Sequence, residues 1–251
     1  MNTTKTLLTI LATLLLCSSS FAQDASKSNK LNAMIEEGMK EWQIPGLTAV
    51  VVKNGKVVFK KTYGIKDIET KEPVDDNTLF SMASTTKALI AISLGILVDQ
   101  NKISWDDKVI DHLPLFKLSD PYITADARVI DLLTHNLGIG KADLLWVINN
   151  LSTAETIDKF KYAKKTYPIR GGFTYQNIMY VVAGELIEAV SGQHWTAFVE
   201  NEILKPLEMT RTQTKSIDIM KAGNYTTPHY NDLDDGIVKV DYTFSDQIGA
   251  A

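Results

Sequence analysis

The chain opens on an apolar run without charge, Leu7 to Leu16 (LLTILATLLL), behind Lys5 and ahead of Ser20-Phe21-Ala22. Small residues three and one positions before a cut, after such a run, predict an export signal over residues 1–22. The run falls short of the roughly 20 residues that a membrane-spanning helix needs. A lipid anchor on Cys17 is the rival reading, disfavoured by the bulk of Leu16 before it. After a polar linker at 23–29, Leu31, Met34, Ile35, Met39 and Trp42 recur at helical spacing until Pro45-Gly46 stops the pattern. Leu47 to Val52 (LTAVVV) is rich in strand formers and Lys56 to Tyr63 (KVVFKKTY) alternates. Asn54-Gly55 between them predicts a hairpin.

Beyond Asp75-Asp76 the texture turns helical. Ala88 to Val98 (ALIAISLGILV) is apolar nearly all round, which predicts a buried helix. Val129 to Leu133 reads as a short helical piece and Asn136 to Gly140 as a loop. Asn177 to Val190 reads as a long helix capped by Gly192, and Trp195 to Leu204 as another, ended by Pro206. A short strand is predicted at Ile237 to Val240 in an otherwise polar stretch. The organisation is then a signal at 1–22, the helix and hairpin of an α/β region at 23–80, and a mostly helical region at 81–251. No internal repeat is present.

Composition narrows the function. With 45% hydrophobic and 22% charged residues in 251, the chain is an ordinary globular protein, neither disordered nor collagen-like. A net charge of −4 gives no basic excess for general nucleic-acid binding. The single cysteine, Cys17, leaves with the signal; a thiol-free mature chain suits an oxidising compartment, the bacterial periplasm or outside. No other stretch is long enough to span a membrane. His112, His135, His194 and His229 lack mutual ligand spacing, so no metal and no cofactor are expected. Trp42, Trp105, Trp146 and Trp195 are read as packing in cores or lining a groove.

The candidate chemistry lies at Ser84-Thr85-Thr86-Lys87, where a loop meets the apolar helix. Positions i and i+3 share a helix face, so Lys87 can set its amine against the Ser84 hydroxyl. The helix entrance adds N–H groups for a developing oxyanion, and the apolar helix behind Lys87 favours its partial burial. Alone the motif is weak, since about one S-x-x-K arises by chance in such a chain; the bland alternative is a capping serine with a solvated lysine. A second element, Tyr175-Gln176-Asn177, opens the long helix after Gly171-Gly172. Its phenol could share a proton with Lys87 and Ser84, and its amide could hold a substrate carbonyl or orient Lys87. The bland alternative is a core tyrosine beside an N-capping asparagine.

Together, Ser84-x-x-Lys87 and Tyr175-x-Asn177 resemble the serine β-lactamase and penicillin-binding-protein superfamily, closest to class C-like β-lactamases, esterases and D-aminopeptidases. Leu132-Leu133-Thr134-His135, Tyr180 to Gly192 and Ile203 to Thr210 resemble further segments of that family. The resemblance runs from about Leu31 to the last residue. It implies an α+β fold of the β-lactamase/transpeptidase type, with a helical domain and an antiparallel sheet. It also implies an acyl-enzyme on Ser84, with Lys87 and Tyr175 sharing the general-base role, whichever takes the proton. The Ser84 N–H would serve as oxyanion donor, Asn177 would bind substrate, and His135 would fall in a structural segment. The implied substrate is a small-molecule or peptide acyl compound: a β-lactam, a D-amino-acid peptide or an ester.

The family's third motif, Lys- or His-x-Gly on a strand, has no convincing copy here. Lys221-Ala222-Gly223 matches the letters outside any strand-forming segment and is read as chance. Against the family pattern the chain reads as cut mid-domain, with the later strands and last helix absent, only the N-terminal helix and hairpin of the sheet region present, and turnover impaired. The competing function is a non-catalytic module that keeps the fold and binds cell-wall peptide or a partner protein.

Overall fold

The computed structural model describes residues 26–147, 151–232, 234–243 and 246–251. The signal predicted at 1–22 lies outside the described residues. Contacts divide the chain into two compact units, one reaching to Thr78 and including His229–Lys239, the other holding Leu79–Pro228 and Val240–Ala251.

In the first unit, helix α1 (26–41) precedes strands β1 (Gly46–Lys53) and β2 (Lys56–Gly64). The strands pair antiparallel, from Gly46 opposite Gly64 to Lys53 opposite Lys56. Asn54 and Gly55 both take positive φ, 51° and 71°, which is the turn that matches strand twist and that the Asn-Gly pair predicts. The register skips Val58 between Val51 and Val52, a bulge absent from the sequence pattern. Asn32 on α1 accepts hydrogen bonds from Lys61 and Tyr63, fixing the helix on β2. Trp42 is 76% exposed, so of the two expectations for the tryptophans, core packing does not hold for it.

A second antiparallel hairpin, β3 (His229–Asp232) and β4 (Gly236–Lys239), completes this unit. Only its second strand was expected, one residue further on. The first, His-Tyr-Asn-Asp, has no apolar alternation to announce it, so the expectation of a single hairpin is corrected to two. Lys239 ties β4 to the segment after β2 through ion pairs to Asp67 (2.9 Å) and Glu69 (2.6 Å). That hydrogen bonding holds the Asp67 carboxyl well below its usual range.

The second unit is helical. Its elements are α2 (Thr86–Asp99), α3 (Val109–His112), α4 (Pro121–Asp126), α5 (Leu144–Val147), α6 (Thr153–Phe160), α7 (Asn177–Ser191), α8 (Trp195–Val199) and α9 (Ser216–Ala222). Helix α7 is the centre of the core: Ile178 to Gly184, Leu186 and Ile187 are all buried. Each such Leu or Ile, fully buried, contributes about 1.5–3 kcal/mol of transfer free energy. Gly192 ends α7 at φ 74°, as the sequence predicts. Helix α2 buries one face, through Lys87, Ile90, Ser93, Leu94 and Leu97, rather than its whole circumference; Ile92 is half exposed. The chain beyond α8 continues through Glu200–Leu204 with wider i to i+5 bonding, Lys205 N–H to Glu200 O at 3.0 Å, so the predicted helix changes pitch midway. Among the described residues no helix is long and apolar enough to cross a membrane.

Candidate active site

The site is built at the entrances of α2 and α7, which pack against each other. Before α2 the chain makes a single tight turn, Ala83–Thr85, entered with Ala83 at φ 44°. A non-glycine residue rarely adopts that conformation, and such local strain accumulates at functional positions. The turn leaves Ser84 exposed at its tip, while Lys87, one turn on, is buried to 7% exposure. The Ser84 side chain bonds across the site and does not cap α2.

Before α7 the segment 166–176 is held by backbone and side-chain bonds to 131–140. Thr166 N–H donates to Gly138 O (2.8 Å), Arg170 N–H to Asn136 O (2.7 Å) and Thr174 N–H to His135 O (2.9 Å). The Gln176 side-chain amide, buried, donates to both Ile139 O and Gly140 O at 2.7 Å. Gly138, at φ 81°, cannot carry a side chain, because a Cβ would stand 2.3 Å from the Tyr167 carbonyl oxygen. Arg170 pairs with Asp126 (2.6 Å) and with the buried Asp131. These bonds deliver Tyr175 and Asn177 to the mouth of α2.

The four residues named from sequence converge. Tyr175 Oη lies 2.8 Å from Ser84 Oγ, and Lys87 Nζ lies 3.3 Å from the same oxygen. Lys87 Nζ also donates to Asn177 Oδ1 at 2.8 Å. Its ammonium sits 4.9 Å from the centre of the Tyr175 ring and 5.2 Å from that of Tyr180, within cation–π range. Burial works to raise the Tyr175 pKa and Asp143 opposes ionisation too. The hydrogen bonds with Lys87 and Ser84 and the Lys87 charge outweigh both, so the phenol lies below its ordinary value. Asn177 is not the cap of α7; that position is Gln176, and the Asn177 amide is engaged at both ends.

Several residues around the site escaped the sequence analysis. Asp143 accepts from Asn177 Nδ2 and from Trp146 Nε1, both at 3.2 Å. Tyr180 donates to Leu133 O (2.9 Å) and so closes the wall beneath Lys87. His135 accepts from Gln176 N–H through Nδ1 (3.1 Å) and lies 4.5 Å, centre to centre, from the Tyr175 ring. Burial, then the Lys87 charge, depress its pKa, which keeps it neutral as an acceptor. Of these, His135 ends the Leu-Leu-Thr-His run and Tyr180 opens the segment Tyr180 to Gly192, whereas Asp143 carried no signal. Gln176, between the two residues of Tyr-x-Asn, occupied the position treated as variable. Lys221-Ala222-Gly223 falls at the end of α9, with Gly223 as its left-handed cap, and on no strand.

A trio of hydroxyl, amine and phenol at a helix entrance, on this α+β framework, defines the serine β-lactamase/transpeptidase class. Residues 31–245 match the Beta-lactamase family model, and the chain belongs to that family. It is 28% identical over 209 residues to Protein flp of Staphylococcus aureus (strain NCTC 8325 / PS 47), covering 80% of this chain and 40% of that protein. It is 30% identical over 193 residues to Unguisins hydrolase ungD of Aspergillus violaceofuscus (strain CBS 115571), covering 73% of this chain and 34% of that one. The octameric penicillin-binding protein homologue from Pyrococcus abyssi superposes with a TM-score of 0.76 at 26% identity, over 86% of this chain and 51% of that chain. The chain thus spans well under two thirds of the length of these relatives.

Proposed function

We propose that this protein is an exported serine hydrolase that cleaves an amide or ester acyl bond through an acyl-enzyme on Ser84. The observation that carries this reading is the placement of Ser84 Oγ 2.8 Å from the Tyr175 phenol and 3.3 Å from the Lys87 amine. Tyr175, its phenolate favoured by Lys87, takes the proton from Ser84 Oγ as that oxygen attacks the substrate carbonyl carbon. The Ser84 N–H at the helix entrance faces the charge that develops on the carbonyl oxygen. Tyr175 returns the proton to the departing amine or alcohol. Water then attacks the ester, its proton passes to Tyr175, and the Ser84 hydroxyl is restored with release of the acid.

Two relatives, a penicillin-binding protein homologue and a hydrolase, support acyl-bond chemistry. The substrate class is a β-lactam, a D-amino-acid peptide or an ester, met in the periplasm or outside the cell. A panel of a chromogenic cephalosporin, p-nitrophenyl esters and D-amino-acid p-nitroanilides tests it. Turnover of at least one, lost by about 10³-fold or more in Ser84→Ala, is expected. A folded wild-type chain with no turnover of any, and no burst of product equal to the protein present, would leave the binding-module reading in its place.

A further inference from the structure

An asparagine amide has two ends of nearly equal shape, one a donor and one an acceptor. Its use beside Lys87 depends on which end faces the ammonium. Nothing within Asn177 decides that; a fixed partner on the far side must. Asp143 stands there. Its Oδ1 is 3.2 Å from Asn177 Nδ2, and an ionised carboxylate only accepts hydrogen bonds, so it forces the NH2 end toward itself. The Asn177 oxygen is thereby turned to Lys87 Nζ at 2.8 Å.

Asp143 is itself held. It precedes α5, and its carbonyl accepts from Trp146 N–H (3.1 Å) and Val147 N–H (3.0 Å). The Trp146 indole N–H then donates to the same carboxylate oxygen that receives Asn177. A relay runs Trp146–Asp143–Asn177–Lys87–Ser84, every link between 2.8 and 3.3 Å.

We infer that Asp143 is a positioning residue for the acylation step, setting the Asn177 amide so that it anchors Lys87 against Ser84. This rests on the reading of Ser84 as nucleophile. What Asp143 supplies is an acceptor at a fixed place rather than a charge. Asp143→Ala, which removes the acceptor, therefore differs from Asp143→Asn, whose amide oxygen can still accept from Asn177.

The test measures the rate at which a fluorophosphonate labels Ser84. The Ser84 Oγ–P bond forms, the P–F bond breaks and fluoride leaves, with the hydroxyl proton passing to the base. Asp143→Ala is expected to label about 10- to 100-fold more slowly at saturating probe, the scale of a misplaced reacting group. Asp143→Asn is expected to recover most of that loss. In an Asn177→Ala background, Asp143→Ala is expected to add less than about a twofold loss, because the two act as one unit. Wild-type labelling by Asp143→Ala, equal loss in Asp143→Asn, or full additivity with Asn177→Ala would each overturn the inference.

A second readout does not depend on reactivity. The Asn177 side-chain NH2, followed by NMR with 15N-asparagine labelling, is expected to be protected from exchange in wild type and Asp143→Asn and released in Asp143→Ala. If wild type carries no fluorophosphonate at all, the hydrolase reading falls while the NMR arm still decides the orientation. An NH2 equally protected in all three proteins would overturn it.

Discussion

An alcohol near a phenol and an ammonium is useful only if the phenol can give up its proton near neutral pH. At Ser84, hydrogen bonding with the buried Lys87 and with Ser84, then the Lys87 charge, lower the Tyr175 pKa against the effect of burial. Acylation should therefore rise with pH along a limb set by that phenol, reached below the ordinary value of 10.0. Lys87→Met removes both the hydrogen bond and the charge, so the limb should move up toward that value while the rate falls. A limb that stays in place in pH–rate measurements would assign the base elsewhere. Tyr175→Phe should slow labelling by about 10²- to 10⁴-fold, the range of a lost general base; labelling at the wild-type rate would remove the phenol from the mechanism. Replacing Asp143 by either Asn or Ala takes away a negative charge that opposes Tyr175 ionisation, so both variants should lower the limb, whatever they do to the Asn177 amide. Pattern alone placed Ser84-Lys87 and Tyr175-Asn177 at two helix entrances; reading the four as one group came from the family resemblance of the two motifs taken together. Asp143 was not so placed, since a single carboxylate in a loop has no period and its partner is 34 residues away.

At the scale of elements, the segment before α7 is aimed by loops, and two substitutions probe that. Gly138→Ala would force a side chain at φ 81° into the Tyr167 carbonyl. The expected cost is about 2–4 kcal/mol in urea unfolding, from strain and displaced backbone; a loss below measurement error would show that the loop yields freely. Among the described residues, Arg170→Ala leaves the buried Asp131 with its bond from Arg128 N–H alone, at an expected cost of about 2 kcal/mol. The sign with pH follows from the neighbouring carboxylate, Asp126. Lys108, then Arg170, lower its pKa from 3.8 to about 2. Its ionic contribution is complete above 3.8 and is lost as pH falls through about 2. The gap between wild type and Arg170→Ala should thus be constant from pH 5 to 8 and narrower at pH 3; a gap that widens in acid would contradict the assignment. The sequence announced α1, β1, β2, α2 and α7 because their length or turn chemistry is strong. It did not announce α3, α5 or α9, which span four to seven residues and draw their stability from packing. Nor did it announce β3, whose His-Tyr-Asn-Asp is paired only because β4 runs beside it.

For the whole molecule, contacts gather the four site residues into the unit of Leu79–Pro228 and Val240–Ala251, while the hairpins belong to the other. That residues 229–239 join the first unit was not legible in the chain, because a polar stretch with one short strand-forming run does not say which distant segment it packs against. The family was legible, because several ordered segments matched at once and no single motif had to carry it. Export is tested by expressing residues 1–251 in a bacterial host: the protein is expected in the periplasmic fraction beginning at Gln23. Retention of residues 1–22 in a cytoplasmic product would contradict the signal. The proposed chemistry depends on the convergence of an alcohol, an amine and a phenol into one acylating group. Its most direct measurement is intact-mass spectrometry after exposure to a fluorophosphonate, with peptide mapping of the adduct. One adduct per chain is expected, on Ser84, absent from Ser84→Ala and strongly slowed in Tyr175→Phe. An adduct on another residue, or a folded chain that stays unmodified, would contradict it.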